Sequence, residues 1–264
     1  VTYVRPSDIF LATIALEPNR HAPGKQPSIL VSEWAERILR AGFDGLELWE
    51  NHALLRPTEE ILALRASVLP VRLLNTYVEF TDDQEPARLR VAALVQQLGA
   101  SGVKYNFGSQ PQRQQEYLRN VKRFAQQLPP DTRLLCECHH GTIAEDPVAA
   151  ERLLKELGSP SRFQAIVHTR TEGSALRKWF THLGERITHL HVFLPAPSRR
   201  LDEKGGESSF RTIAEYGYDK SLSIEFVDPM NAPGETAPLL FDKIVADLQW
   251  LRETLAKDLR GTKG

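Results

Sequence analysis

Four side chains able to ligate a metal or move a proton close four consecutive apolar runs: Glu137, His168, His191 and Glu225. The first lies in residues 134–142, LLCECHHGT, a short segment that starts apolar and is rich in β-formers. Side chains alternate faces along a strand, so Glu137 and His139 share one face and Cys136 and Cys138 the other. A carboxylate at the end of a buried strand needs a partner, because an unpaired buried charge is expensive. A divalent metal is one such partner. Two carboxylates and two imidazoles make a mixed oxygen and nitrogen site that suits Mn²⁺, Co²⁺, Zn²⁺ or Mg²⁺, and the imidazole share tilts it away from Mg²⁺ and Ca²⁺. A metal that chelates a hydroxy-carbonyl substrate acidifies the adjacent C–H and stabilises the enediolate. A nearby carboxylate can then move the proton. One divalent ion is therefore the expected cofactor, held by Glu137, His168, His191 and Glu225.

The elements that carry these residues alternate. Apolar runs at 9–16, 43–49, 70–77, 103–107, 133–138, 163–168, 187–194 and 222–227 read as strands. Helical spacing follows each, as in Ala87, Val91, Leu94, Val95 and Leu98. The punctuation agrees. Ser32 can cap a helix that ends near Gly42, and Asp146-Pro147 is a cap followed by proline at the first helical position. Eight strand-then-helix units call for a parallel sheet with helices outside. In 264 residues they predict a single-domain (β/α)8 TIM barrel over 1–264. The rival, a doubly wound open sheet, would carry a Gly-rich phosphate turn after its first strand. The turn here reads ALEPNRHAPG and has no GxGxxG.

In a barrel the chemistry lies at the C-terminal strand ends. The second strand brings Glu47, Trp49 and His52 there, the third Asn75 and Tyr77, and the fourth Tyr105 and Asn106. Glu47, Trp49, His52, Asn75 and Asn106 are candidate substrate contacts. Each also has a plain structural reading, Trp49 as packing and the asparagines as interior hydrogen-bonding groups. His189 reads equally as a bonded core histidine, His182 as a helix residue and His140 as a loop residue. Arg199 and Arg200 lie in the long loop after the seventh strand and could take a phosphate or carboxylate. A solvated basic turn beside Asp202, Glu203 and Lys204 explains them as well. Arg20 and His21 in the first loop are weaker candidates of the same kind.

Composition narrows the function classes. Lys plus Arg total 33 against 34 Asp plus Glu, so the net charge of −1 gives no general attraction to nucleic acid or acidic membranes. No apolar run of about 18 residues exists, which argues against a membrane span. The two cysteines, one residue apart, suit neither an ordinary disulfide nor a CxxC zinc pair, and read as packing on the strand's outer side. Without a disulfide framework, and without the basic-then-apolar pattern of a signal peptide, a cytoplasmic location is expected.

Taken together, AGFDGLELWENH at Glu47, LLCECHHGT at Glu137, GERITHLHVF at His191 and SLSIEF at Glu225 resemble the xylose-isomerase-like superfamily of sugar isomerases and epimerases. The resemblance runs along nearly the whole chain in order. It implies a metal held by Glu137, the position of His168, His191 and Glu225, with Glu137 and Glu225 as the acid/base pair. His168 departs from the family's usual Asp, changes the site charge by one unit and favours a softer metal. The implied reaction is isomerisation or epimerisation of a small polyhydroxylated substrate. The ExHxGT pattern at 137–142 also looks like the dehydratase branch of 3-dehydroshikimate and inosose dehydratases, where His139 would assist as base or acid. Endonuclease IV-type repair enzymes share the fold, but hold three zinc ions with more ligands than this chain shows. A non-catalytic accessory barrel is the alternative that the His168 departure prompts. Family members are often dimers or tetramers, which makes a homo-oligomer possible.

Overall fold

The computed structural model describes residues 8–18, 20, 24, 26–169, 173–194, 209–228 and 234–261, with side chains to 256. Eight strands close into a barrel in chain order: β1 (Ile9–Ala12), β2 (Gly45–Trp49), β3 (Val71–Asn75), β4 (Gly102–Tyr105), β5 (Arg133–Glu137), β6 (Phe163–His168), β7 (Ile187–Leu194) and β8 (Ser221–Val227). Each pairs parallel to the next, and β8 returns to β1. The expected (β/α)8 barrel is the observed fold. Outside lie α1 (Ala35–Ala41), α2 (Asn51–Leu54), α3 (Thr58–Ala66), α4 (Glu85–Leu98), α5 (Gln114–Gln127), α6 (Pro147–Leu157), α7 (Gly173–Leu183), α8 (Ser209–Glu215) and α9 (Ala237–Gly261). No helix among the described residues is long and apolar enough to cross a membrane.

The main apolar core lies between strands and helices. Val103, Tyr105 and Phe107 turn outward into it, as do Cys136 and Cys138, which are free, buried thiols. The strand period then forces the alternate residues inward. Phe10, Leu73, Leu135 and Ile166 make a small apolar cluster inside the barrel. Gly102 makes room for it, because a Cβ there would fall 2.5 Å from Leu73 Cδ2 and 3.0 Å from Leu135 Cδ1. Above this floor most inward positions are polar, with Ala12 and Trp49 as apolar exceptions.

Two local expectations are corrected. The run at 9–16 is not one strand: β1 stops at Ala12 and Thr13–Leu16 winds into a 3₁₀ turn. The Thr13 hydroxyl accepts the Trp49 N–H at 2.9 Å, taking a backbone donor at the end of β2. Ser32 does not cap α1. Its N–H and hydroxyl both donate to the buried carboxylate of Glu60, at 3.0 and 2.5 Å, and α1 starts at Ala35. Asp146 does cap α6, accepting from the N–H groups of Val148 and Ala149 ahead of Pro147. α1 ends as expected at Gly42, which takes φ of 104°, a left-handed turn that suits glycine.

Candidate metal centre

At the C-terminal ends of β5, β6, β7 and β8, one atom each from Glu137, His168, His191 and Glu225 falls within 4.8 Å of the others. Consecutive parallel strands bring their ends side by side, and a register shift between β6 and β7 sets His168 directly opposite His191. Glu137 Oε1 lies 2.9 Å from His168 Nε2 and 3.3 Å from His191 Nδ1. Glu225 Oε2 lies 3.3 Å from His191 Nδ1 and 3.8 Å from His168 Nδ1. Glu137, His191 and Glu225 are buried and His168 is partly exposed.

These positions fit a divalent ion. Four tetrahedral ligands at about 2.0–2.1 Å stand about 3.4 Å from one another. Two of the edges here are 3.3 Å. His191 Nδ1 is buried without an aligned hydrogen-bond partner, although both carboxylates are near. A buried nitrogen aimed between two carboxylate oxygens is what a ligand position requires.

Glu47 supports this arrangement from below. It is fully buried, and His191 Nε2 lies 3.1 Å from its Oε1 and 3.2 Å from its Oε2. A carboxylate only accepts, so Nε2 carries the proton and Nδ1 is the nitrogen free to ligate. Asn75 Nδ2 donates to Glu47 Oε1 at 2.8 Å, and His189 Nε2 lies 3.3 Å from Oε2. Burial opposes ionisation of Glu47, but His191 and His189 outweigh it and hold its carboxyl well below the usual range. Burial likewise opposes charge on His191. The nearby carboxylates of Glu225, Glu47 and Glu137 raise it well above the ordinary imidazole value. His189 is lowered by its burial, only partly opposed by Glu47.

Glu137 is gripped from its other side. Lys104 Nζ lies 2.7 Å from Oε2, and Asn106 Nδ2 donates to the same oxygen at 2.8 Å. Burial raises the Glu137 carboxyl, but Lys104, then His168 and His191, bring it well below its usual value. Sequence reasoning passed over Lys104. Its signal was a lysine between Val103 and Tyr105 in an apolar run, on the same face as Asn106.

A cleft of ≈ 660 Å³ opens over the donors, lined by Tyr77, Asn106, Glu137, His139, Glu225 and Phe226 among others. His139 is exposed at its edge, with its ring 5.8 Å from that of His168. Its Nδ1 lies 2.6 Å from the His140 carbonyl oxygen. That carbonyl only accepts, so Nδ1 carries the proton and Nε2 of the neutral ring is left as the acceptor.

The remaining expected residues divide. Asn106 reaches the cleft. Glu47 and Asn75 are buried and bonded to each other, with Glu47 turned to His189 and His191. Trp49 is buried against Ala12 and Ile14, with Phe226 packed on that cluster. His52, expected to meet substrate, lies elsewhere: fully buried, Nε2 2.6 Å from Glu17 Oε1 and Nδ1 2.9 Å from Thr13 Oγ1. Glu17 in turn accepts the Ser28 N–H, so this group ties down the first loop. His182 bonds Glu151 on α6, and the exposed His140 pairs with Glu145. Arg20 is buried against Glu235. Arg199, Arg200 and His21 lie outside the described residues.

No family model and no curated relative matches the chain. Solved structures do. A probable 3-DHS dehydratase, AsbF, from Bacillus anthracis is 18% identical over 94% of this chain and 98% of its own, with a TM-score of 0.64. The 3-keto-D-glucoside 4-epimerase YcjR from E. coli is 15% identical over 94% and 99%, with a TM-score of 0.61. A xylose isomerase domain protein from Planctomyces limnophilus is 11% identical over 97% and 99%, with a TM-score of 0.63. The solved structures that this chain resembles include xylose isomerase-like TIM barrels, and what it shares with them is the closed eight-stranded parallel fold.

Proposed function

We propose that this chain is a divalent-metal-dependent isomerase or epimerase acting on a sugar or sugar-like hydroxy-ketone. The observation that carries the reading is the convergence of Glu137, His168, His191 and Glu225, with His191 Nδ1 buried 3.3 Å from an oxygen of each carboxylate. These four residues would hold one Mn²⁺, Co²⁺ or Zn²⁺. The bound ion would polarise the substrate carbonyl and acidify the neighbouring C–H. Glu137 and Glu225 border the cleft and are the carboxylates placed to take and return that proton. Glu47 orients His191, and Asn106 offers its amide beside Glu137. Buried polar donors beside a substrate-sized cleft suit a small polyhydroxylated molecule. The named epimerase among the fold neighbours supports the same reading by analogy.

Dehydration is the second reading, and His139 is the observation that favours it. Its ring stands at the cleft edge near His168, with Nδ1 engaged by the His140 carbonyl, where Nε2 could act as a base and take a proton before water leaves. The AsbF likeness points the same way by analogy.

The first test is elemental analysis of purified protein beside His168→Ala and Glu225→Ala. One equivalent of metal, lost in both variants, is expected. No metal after incubation with excess Mn²⁺, Co²⁺ or Zn²⁺ would overturn the mechanism. A screen of keto-sugars and dehydro-cyclitols in D₂O then separates the reactions. Deuterium at the carbon next to the carbonyl marks an epimerase or isomerase, and absorbance from a conjugated enone marks a dehydratase.

A further inference from the structure

Lys104 is a full positive charge inside the barrel, with no exposed surface. Burying an ammonium is costly unless a specific partner compensates it. Its partner is one oxygen of one candidate ligand, Glu137 Oε2 at 2.7 Å. The amide of Asn106 donates to that same oxygen, so two cation or N–H contacts converge on Oε2. Oε1 is the oxygen left toward His168 and His191. The ring of Tyr77 covers the ammonium from the β3 side, its centroid 4.0 Å from Nζ. Lys104 is level with Asn75 on β3 and Leu135 on β5, one inward step below Glu137.

We propose that Lys104 is a positioning residue of the metal centre. It pins Glu137 by Oε2, so that the carboxylate presents Oε1 alone and binds the ion through a single oxygen. An unpinned carboxylate at this position would be free to chelate through both oxygens, which raises the coordination number and takes a place that substrate needs. This role rests on the metal reading above, yet it makes a separate claim about one side chain.

The test uses Co²⁺ as the probe, with the full chain, Lys104→Met and Asn106→Ala. Two quantities are read: Co²⁺ affinity by chelator competition, and the visible absorption of bound Co²⁺, which weakens as coordination number rises. Lys104→Met is expected to bind on the order of 10–100-fold more weakly, as loss of a residue that orients a ligand does. Its visible band should weaken as both Glu137 oxygens turn to the ion. Asn106→Ala, which unloads the same oxygen without removing a charge, should shift the band in the same direction with a smaller loss of affinity. It carries the test if Lys104→Met fails to fold, as judged by far-UV circular dichroism without metal. Wild-type affinity and spectrum in a folded Lys104→Met, or in Asn106→Ala where that variant stands in, would overturn this inference alone. A wild-type chain that takes up no Co²⁺ would overturn both this inference and the metal reading.

Discussion

His191 and Glu47 form a buried pair in which the imidazole Nε2–H donates a hydrogen bond to the carboxylate, 3.1 Å away at Oε1. The pair is central to the proposed site, because fixing one ring nitrogen as donor would leave the other as the ligand. Glu47→Gln keeps the shape and removes the charge. It should weaken metal binding by about 10–100-fold, with stoichiometry at saturating metal retained. Titration with Zn²⁺ against a competing chelator measures this. Unchanged affinity would mean that Glu47 does not orient the ring.

In the proposed centre His168 would set which metal is preferred. Imidazole favours Zn²⁺ and Co²⁺, whereas a carboxylate favours Mn²⁺ and Mg²⁺. His168→Asp should therefore still bind one ion but move the preference toward Mn²⁺, read as the ratio of Mn²⁺ to Zn²⁺ dissociation constants. A ratio that stays put would show that His168 is not among the ligands, whatever its 2.9 Å approach to Glu137.

The barrel and the convergence of Glu137, His168, His191 and Glu225 were legible in the sequence because both are written in short-range pattern. Runs at 163–168 and 187–194 read as strands and are β6 and β7. A ligating side chain at the end of each run was enough to align the site. What holds the donors was not legible. Glu47 stands 144 residues from His191 and meets it across the closed barrel. The level of His168 with His191 depends on a register shift at Ala165/Ile166 that no periodicity records. Lys104 lies in an apolar run, and nothing within that run points to Glu137 on the neighbouring strand. His52 lay next to a strand end, but α2 turns it back to Glu17 rather than toward the cleft.

Stability of the chelator-treated protein should depend on pH in a sense that these pairs dictate. Glu47 and Glu137 are held below their usual range. Their contribution is present above about pH 4.3 and is lost as pH falls through their folded values. His191 is held above its usual value. Its contribution is complete below about pH 6.5 and is lost as pH rises through the folded value. His189, lowered by burial, opposes folding on the acid side and moves the optimum toward the upper end of this window. Thermal melts across pH should show that maximum, and His191→Gln should flatten the alkaline decline. Metal should reverse that decline, since binding at Nδ1 displaces the proton and gains as pH rises. Metal-free melting that climbs steadily from pH 6.5 to 9 would refute the assignment.

His52 separates a structural role from a functional one. Its ring joins Glu17 on the first loop to Thr13 at the end of β1, and packs edge-on to Trp49 with ring centroids 5.3 Å apart. Removing one partner of a buried pair costs about 3–5 kcal/mol. His52→Ala should lose stability on that scale in urea unfolding, because Glu17 would lose the buried imidazole that meets its carboxylate. Metal content should be unaffected, since no donor of the candidate centre touches this group among the described contacts. The reverse outcome, stability kept and metal lost, would bring His52 into the site and require the first loop to close over the cleft.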